Sequence, residues 1–128
     1  MIYLDTSVAL AALFAEPRRP PDRLWSEPLV ASRLIEYEVM IRINARGQGA
    51  AAVAAVRDLL DGMALVELER PVLARALLPF PLPVRTLDAL HLATMDFLRG
   101  QGQTLELASY DRRLAAAAAA LGFPLAEV

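Results

Sequence analysis

The sequence predicts an α/β fold: a central, mostly parallel sheet of short strands with helices on both faces. Three observations carry this. Short apolar runs alternate with helical stretches along the chain, and strands that alternate with helices pair parallel through helical crossovers. Several helical stretches carry explicit stops, at Gly47, Asp61-Gly62, Gly100 and Gly122. The 128 residues amount to about one domain, long enough to bury a core without disulfides or a structural metal.

The elements follow in order. Ile2 to Asp5 reads as a short strand, and Ser7 to Phe14 as a helix of small and apolar residues with Thr6 or Ser7 available as N-cap. Glu16 to Pro28 is proline-rich and loop-like, with one helical turn near Arg23 to Trp25. Leu29 to Ala31 is a second apolar run. Ser32 then caps a long helix, Arg33 to Arg46, and a further helix spans Ala50 to Leu60. Ala64 to Leu68 reads as a strand. Pro71 suits the first position of a helix running to Leu78. Pro79 to Pro83 holds too much proline to be regular. Thr86 caps a helix over Leu87 to Arg99. Thr104 to Ala108 is a strand, Asp111 to Leu121 a helix, and Leu125 to Val128 a last strand. With no repeat and no linker, residues 1–128 read as a single domain.

Composition narrows the function. The apolar fraction is 56%, above the roughly 45–50% of globular chains, and much of the excess is alanine. No apolar run approaches the roughly 20 residues of a membrane helix, and no basic region precedes the first apolar run, as a signal peptide needs. There is no cysteine, hence no disulfide framework and no thiolate zinc site. A cytoplasmic protein is expected. The net charge of −2 does not advertise nucleic acid. Every basic residue is arginine, a bias that GC-rich codon usage explains. Any anion contact therefore comes from guanidinium groups, which grip phosphates bidentately.

The acids carry the chemistry. Asp5 ends the first apolar run, where a carboxylate is costly to bury alone. It is tolerated at the carboxyl end of a strand facing a cleft, where open α/β sheets keep their sites. Glu36 or Glu38 lies early in the Ser32-capped helix, Asp88 in the first turn of the Thr86-capped helix, and Asp111 at the start of the helix after Thr104 to Ala108. In a parallel sheet these places meet at one rim. Clustered carboxylates repel one another and suit a hard divalent cation such as Mg²⁺ or Mn²⁺. Taken singly, Asp88 and Asp111 are equally explained as first-turn acids stabilising a helix dipole by about 0.3–1 kcal/mol. The signal lies in the set.

Four blocks, in order, match a known family. These are M-I-Y-L-D-T-S at residues 1–7, A-S-R-L-I-E-Y-E-V at 31–39, R-T-L-D-A-L-H-L-A-T at 85–94 and A-S-Y-D-R-R-L at 108–114. On these blocks the chain resembles, over essentially its full length, a PIN-domain ribonuclease of the VapC toxin type. The resemblance implies a three-layer α/β/α sandwich with four or five short strands. It implies an endoribonuclease using Mg²⁺ or Mn²⁺, held by Asp5, Glu38, Asp88 and Asp111. On this resemblance the metal would lower the pKa of a bound water, and the resulting hydroxide would attack the scissile phosphorus. Also implied are a cognate VapB-like antitoxin and a homodimer. Ser109 stands where the family's fourth block has threonine.

Other residues keep two readings. Glu36 and Glu38 lie about 200° apart on a helix, so only one faces the site, and the family spacing favours Glu38. Thr6 and Ser7 are either N-caps or groups that hold Asp5 or a metal water. His91, the only histidine, is a general-base candidate or a packed, hydrogen-bonded helix residue. Asp96 reads as a surface acid or structural partner. Arg42, Arg46, Arg112 and Arg113 are RNA-phosphate candidates or solvated arginines. Val8 to Phe14, apolar on nearly every face, is an antitoxin or dimer surface, or a buried helix. The alternatives to a toxin nuclease are a PIN-like module that binds RNA or protein without cutting, and a PIN nuclease outside toxin systems. A phosphatase of the haloacid-dehalogenase type fits poorly: Ser7 replaces its second aspartate, and there is no lysine.

Overall fold

The computed structural model describes residues 1–128. Its elements are β1 (Ile2–Leu4), α1 (Thr6–Leu13), a 3₁₀ turn (Asp22–Ser26), β2 (Leu29–Ser32), α2 (Leu34–Ala45) and α3 (Ala50–Asp61). There follow β3 (Ala64–Val66), α4 (Arg70–Ala76), α5 (Thr86–Gly100), β4 (Glu106–Ala108) and α6 (Arg112–Ala120). All strand pairs are parallel, in the order β3-β2-β1-β4.

The period of a strand explains the layers. Ile2, Leu4, Leu29 and Ala31 face one side, where they meet Val8 and Leu10 of α1, Ile35 and Val39 of α2, and Val56 and Leu60 of α3. Tyr3, Val30 and Leu107 face the other, against Leu92 and Met95 of α5 and Leu114 of α6. Both sheet faces are covered, which gives the three-layer α/β/α sandwich and explains why the strands read as unbroken apolar runs. Each fully buried leucine or isoleucine contributes about 1.5–3 kcal/mol.

Two expectations change. The last strand shrinks to one parallel bridge, Leu107 to Leu125, closed by Leu107 N–H to Pro124 O at 2.9 Å and Ala126 N–H to Leu107 O at 2.8 Å. In the helix Val8 to Phe14 the first four residues, Val8, Ala9, Leu10 and Ala11, are buried rather than open for docking, while Ala12 is exposed and Leu13 and Phe14 are half-buried. Its all-round apolarity reflects burial between sheet and neighbouring helices. No helix is long and apolar enough to cross a membrane.

The sheet order places the site. From β1 the chain winds outward through β2 to β3, then returns across the sheet to add β4 on the other side of β1. The crevice at such a reversal, beyond the strands' carboxyl ends, is where open α/β sheets bind ligands. Asp5 follows β1 and Ser109 to Asp111 follow β4, so both borders of the reversal end in polar residues.

Candidate active site

A cleft of about 390 Å³ opens at that reversal, and Asp5, Glu38, Asp88 and Asp111 all line it. Four elements bring them there. Asp5 is the N-cap of α1 and accepts from Ser7 N–H. Asp111 is the N-cap of α6 and accepts from the N–H groups of Arg113 and Leu114. Asp88, in the first turn of α5, accepts from Arg85 N–H at 3.4 Å. Glu38 projects from the second turn of α2. Asp5 thus does the capping expected of Thr6 or Ser7, and Arg85, not Thr86, precedes α5.

All four carboxylates share one design. One oxygen is tied to the fold; the other is left free. Asp5 Oδ2 accepts from Ser7 Oγ at 2.5 Å and Ser109 Oγ at 2.8 Å. Glu38 Oε1 accepts from Thr6 Oγ1 at 3.1 Å and His91 Nε2 at 2.6 Å. Asp88 uses Oδ2 and Asp111 uses Oδ1 for their helix starts. No hydrogen bond or ion pair engages Asp5 Oδ1, Glu38 Oε2, Asp88 Oδ1 or Asp111 Oδ2. The donor set is all oxygen, the chemistry a hard divalent cation takes. As placed, no three of these groups close around a single point.

The supporting groups form two chains. In the first, Tyr3 Oη accepts from Ser32 N–H and meets His91 Nδ1 at 2.7 Å, and His91 Nε2–H donates to Glu38. Burial pushes the His91 imidazole down, but the Glu38 hydrogen bond and carboxylate charges outweigh it, and the pKa is raised. Burial drives the Tyr3 phenol far up, so it stays neutral. In the second chain, Ser7 Oγ and Ser109 Oγ donate to Asp5 while accepting from Tyr110 N–H and Asp111 N–H. The loop after β4 is thereby locked to the end of β1.

The ambiguous residues separate cleanly. Glu36 points away from the cleft and pairs with Arg57 at 3.1 Å and Arg33 at 3.6 Å. Asp96 pairs with Arg75 at 2.6 Å and Arg99 at 2.8 Å, a structural partner outside the cleft. His91 is 2% exposed and positions Glu38. Of the four arginines expected near RNA, only Arg42 lines the cleft; Arg46 stacks on Phe14 at 3.8 Å. The sequence reading missed Tyr3, whose hydroxyl in an otherwise apolar strand was the available signal, and Glu16 and Arg18, which reach the cleft from the loop after α1.

This fold and this ring of acids define a class, and the comparisons agree: the PIN domain family model matches residues 2–123, and the chain belongs to that family. Within it, the similar curated proteins are VapC ribonucleases of Mycobacterium tuberculosis. Ribonuclease VapC47 is 32% identical over 96% of this chain and 93% of its own length. Ribonuclease VapC46 is 39% identical over 94% of this chain and 92% of its own. The fold matches VapC20 of the same organism, a toxin that cleaves the sarcin-ricin loop, with a TM-score of 0.74 at 22% identity over all of both chains. It also matches a chain of a toxin–antitoxin complex from Klebsiella pneumoniae, with a TM-score of 0.70 at 21% identity over 94% of each.

Proposed function

We propose that this chain is a single PIN domain acting as a metal-dependent endoribonuclease, the toxin of a VapBC-like pair in the cytoplasm. One observation carries the reading: four carboxylates from four separate elements line one cleft, each presenting a free oxygen. Asp5, Glu38, Asp88 and Asp111 would hold Mg²⁺ or Mn²⁺. Such a cation, when bound, activates water and offsets phosphate charge. The chain's own residues do the positioning. Ser7 and Ser109 fix Asp5, Thr6 and His91 fix Glu38, and Tyr3 fixes His91. Because water is the nucleophile, the RNA 2′-hydroxyl is not required chemically, and selectivity comes from RNA shape and single-strand access. The relatives' names support the ribonuclease activity; a VapB-like antitoxin and a second copy of the chain are the protein partners this reading adds.

The test uses antitoxin-free protein and total RNA with Mg²⁺, Mn²⁺ or EDTA, beside Asp5→Asn and Asp88→Asn. Discrete cleavage that needs the metal and both acids is the expected result. Intact RNA from a folded protein that binds no Mn²⁺ in calorimetry would instead support a PIN module that does not cut.

A further inference from the structure

The loop after α1 is built in an unusual way. Four helices end in the same backbone motif, in which the residue after the C-cap takes a left-handed conformation and two N–H groups bond back to the last turn. Three of these use glycine: Gly47, Gly102 and Gly122, at φ 64°, 89° and 88°. The fourth, after α1, uses Ala15 at φ 48°. Its bonds run from Glu16 N–H to Ala11 O at 3.0 Å and from Ala15 N–H to Ala12 O at 3.4 Å. A left-handed alanine is strained. Strained backbone of this kind clusters where a segment must be held in one place. Here it turns the chain so that Glu16 and Arg18 reach the acid cleft.

The Arg18 guanidinium carbon sits over the Tyr110 ring, 4.3 Å from the ring centre. Tyr110 is held at its backbone, where its N–H donates to Ser7 Oγ; its hydroxyl oxygen is buried and has no partner. A guanidinium over a ring is held by the ring's quadrupole and keeps its N–H donors available to an anion. Six of the arginines form ion pairs: Arg23, Arg33, Arg57, Arg75, Arg85 and Arg99. Arg18 and Arg42 form none, although the cleft they line also holds Glu16 and the four candidate metal acids. Free guanidinium groups among carboxylates are arranged for an anion that arrives from outside. A polyanion entering this cleft needs them, since the acids alone repel it.

We propose that Arg18, held on the Tyr110 ring, is a substrate-positioning residue that grips a backbone phosphate of single-stranded RNA next to the acid site, with Arg42 contributing from α2. The proposal rests on the nuclease reading. Binding is measured by anisotropy of a fluorescein-labelled single-stranded RNA of mixed sequence, in EDTA so that no cutting occurs, across a salt series. Arg18→Ala weakens binding about tenfold and lowers the log Kd against log salt slope by about 0.7, the value for one phosphate contact on a single strand. Arg18→Lys keeps the slope and loses about threefold in affinity, because charge survives and the stacked, bidentate geometry does not. Tyr110→Phe is neutral and Tyr110→Leu weakens binding, since the ring and not the hydroxyl supports Arg18. Arg23→Ala, at the opposite end of the sheet beside Ile2, Glu106 and Glu127, is the control. In cleavage assays with metal, Arg18→Ala raises KM and leaves kcat within about threefold. Arg18→Ala matching Arg23→Ala in both affinity and slope would overturn the assignment and leave the nuclease reading standing. Wild-type protein that binds no RNA in EDTA and cuts none with Mg²⁺ or Mn²⁺ would overturn both.

Discussion

Two concavities share helix α5 and differ in nearly everything else. Leu87, Asp88 and His91 face the acid cleft, while Thr86, Ala89 and Leu90 face a groove closed by α4 and the proline-rich segment after it. The groove is the larger, about 810 Å³ against about 390 Å³. Its wall is apolar, and Leu77 and Leu78 stand 88% and 58% exposed beside it. The cleft is polar, and the groups around it are held by hydrogen bonds. The comparison teaches that size and apolarity mark where surfaces adhere. Chemistry sits where the fold spends hydrogen bonds on holding charges together.

Substitutions on the two sides break or sharpen that contrast. The largest effect is expected at Asp88→Asn, which keeps the α5 cap geometry and removes one candidate ligand charge: cleavage falls at least about 100-fold, or roughly 2.7 kcal/mol of barrier, in single-turnover assays. His91→Phe comes next. It fills the same space and removes the hydrogen bonds to Tyr3 and Glu38. Groups that orient metal ligands are worth about 10–100-fold, so cleavage and Mn²⁺ affinity both fall within that range while near-UV circular dichroism stays native.

Ala15→Gly reads the strain at the lip of the cleft. Relief of a left-handed alanine is worth about 1–2 kcal/mol, and the added flexibility of the unfolded chain takes back about 0.4–1 kcal/mol. A net gain near 0.5–1 kcal/mol raises Tm by about 2–4 °C in calorimetry; a lower Tm would refute the strain. Behind the groove, Asp96 links α4 to α5 through Arg75 and carries Arg99 as well. Burial pushes its carboxyl up, but the hydrogen bonds from Arg75 and Arg99 outweigh that and hold it below its ordinary value of 3.8. A depressed carboxylate gives stability that is present above the ordinary value and is lost as pH falls through the folded one. Asp96→Asn therefore shows a smaller drop in Tm below about pH 4 than wild type. The smallest effect is at Leu77→Glu on the groove: stability shifts by less than about 0.5 kcal/mol and cleavage is unchanged. Loss of cleavage there would erase the distinction between the two concavities.

Much of this was legible in the sequence. Strand and helix order, the stops at Gly47, Gly62 and Gly122 and the acids after strands one and four are local facts, written in propensity and periodicity over a few residues; the stop expected at Gly100 falls two residues on, since α5 runs through Gly100 and turns at Gly102. Glu38 over Glu36 was legible only through the family spacing, since helical geometry says that one of them turns away without saying which. What stayed hidden depends on residues far apart in the chain. His91 reaches Glu38 across 53 positions, and Ser109 reaches Asp5 across 104. Arg18 belongs to a loop with no pattern of its own, and α1 reads as apolar whether it is buried or docked. Local rules set the elements and their order. Only the tertiary structure, through the sheet order β3-β2-β1-β4 and the side of the sheet each helix covers, decided which side chains share a cleft, because contacts across such separations have no counterpart in the few residues that set an element.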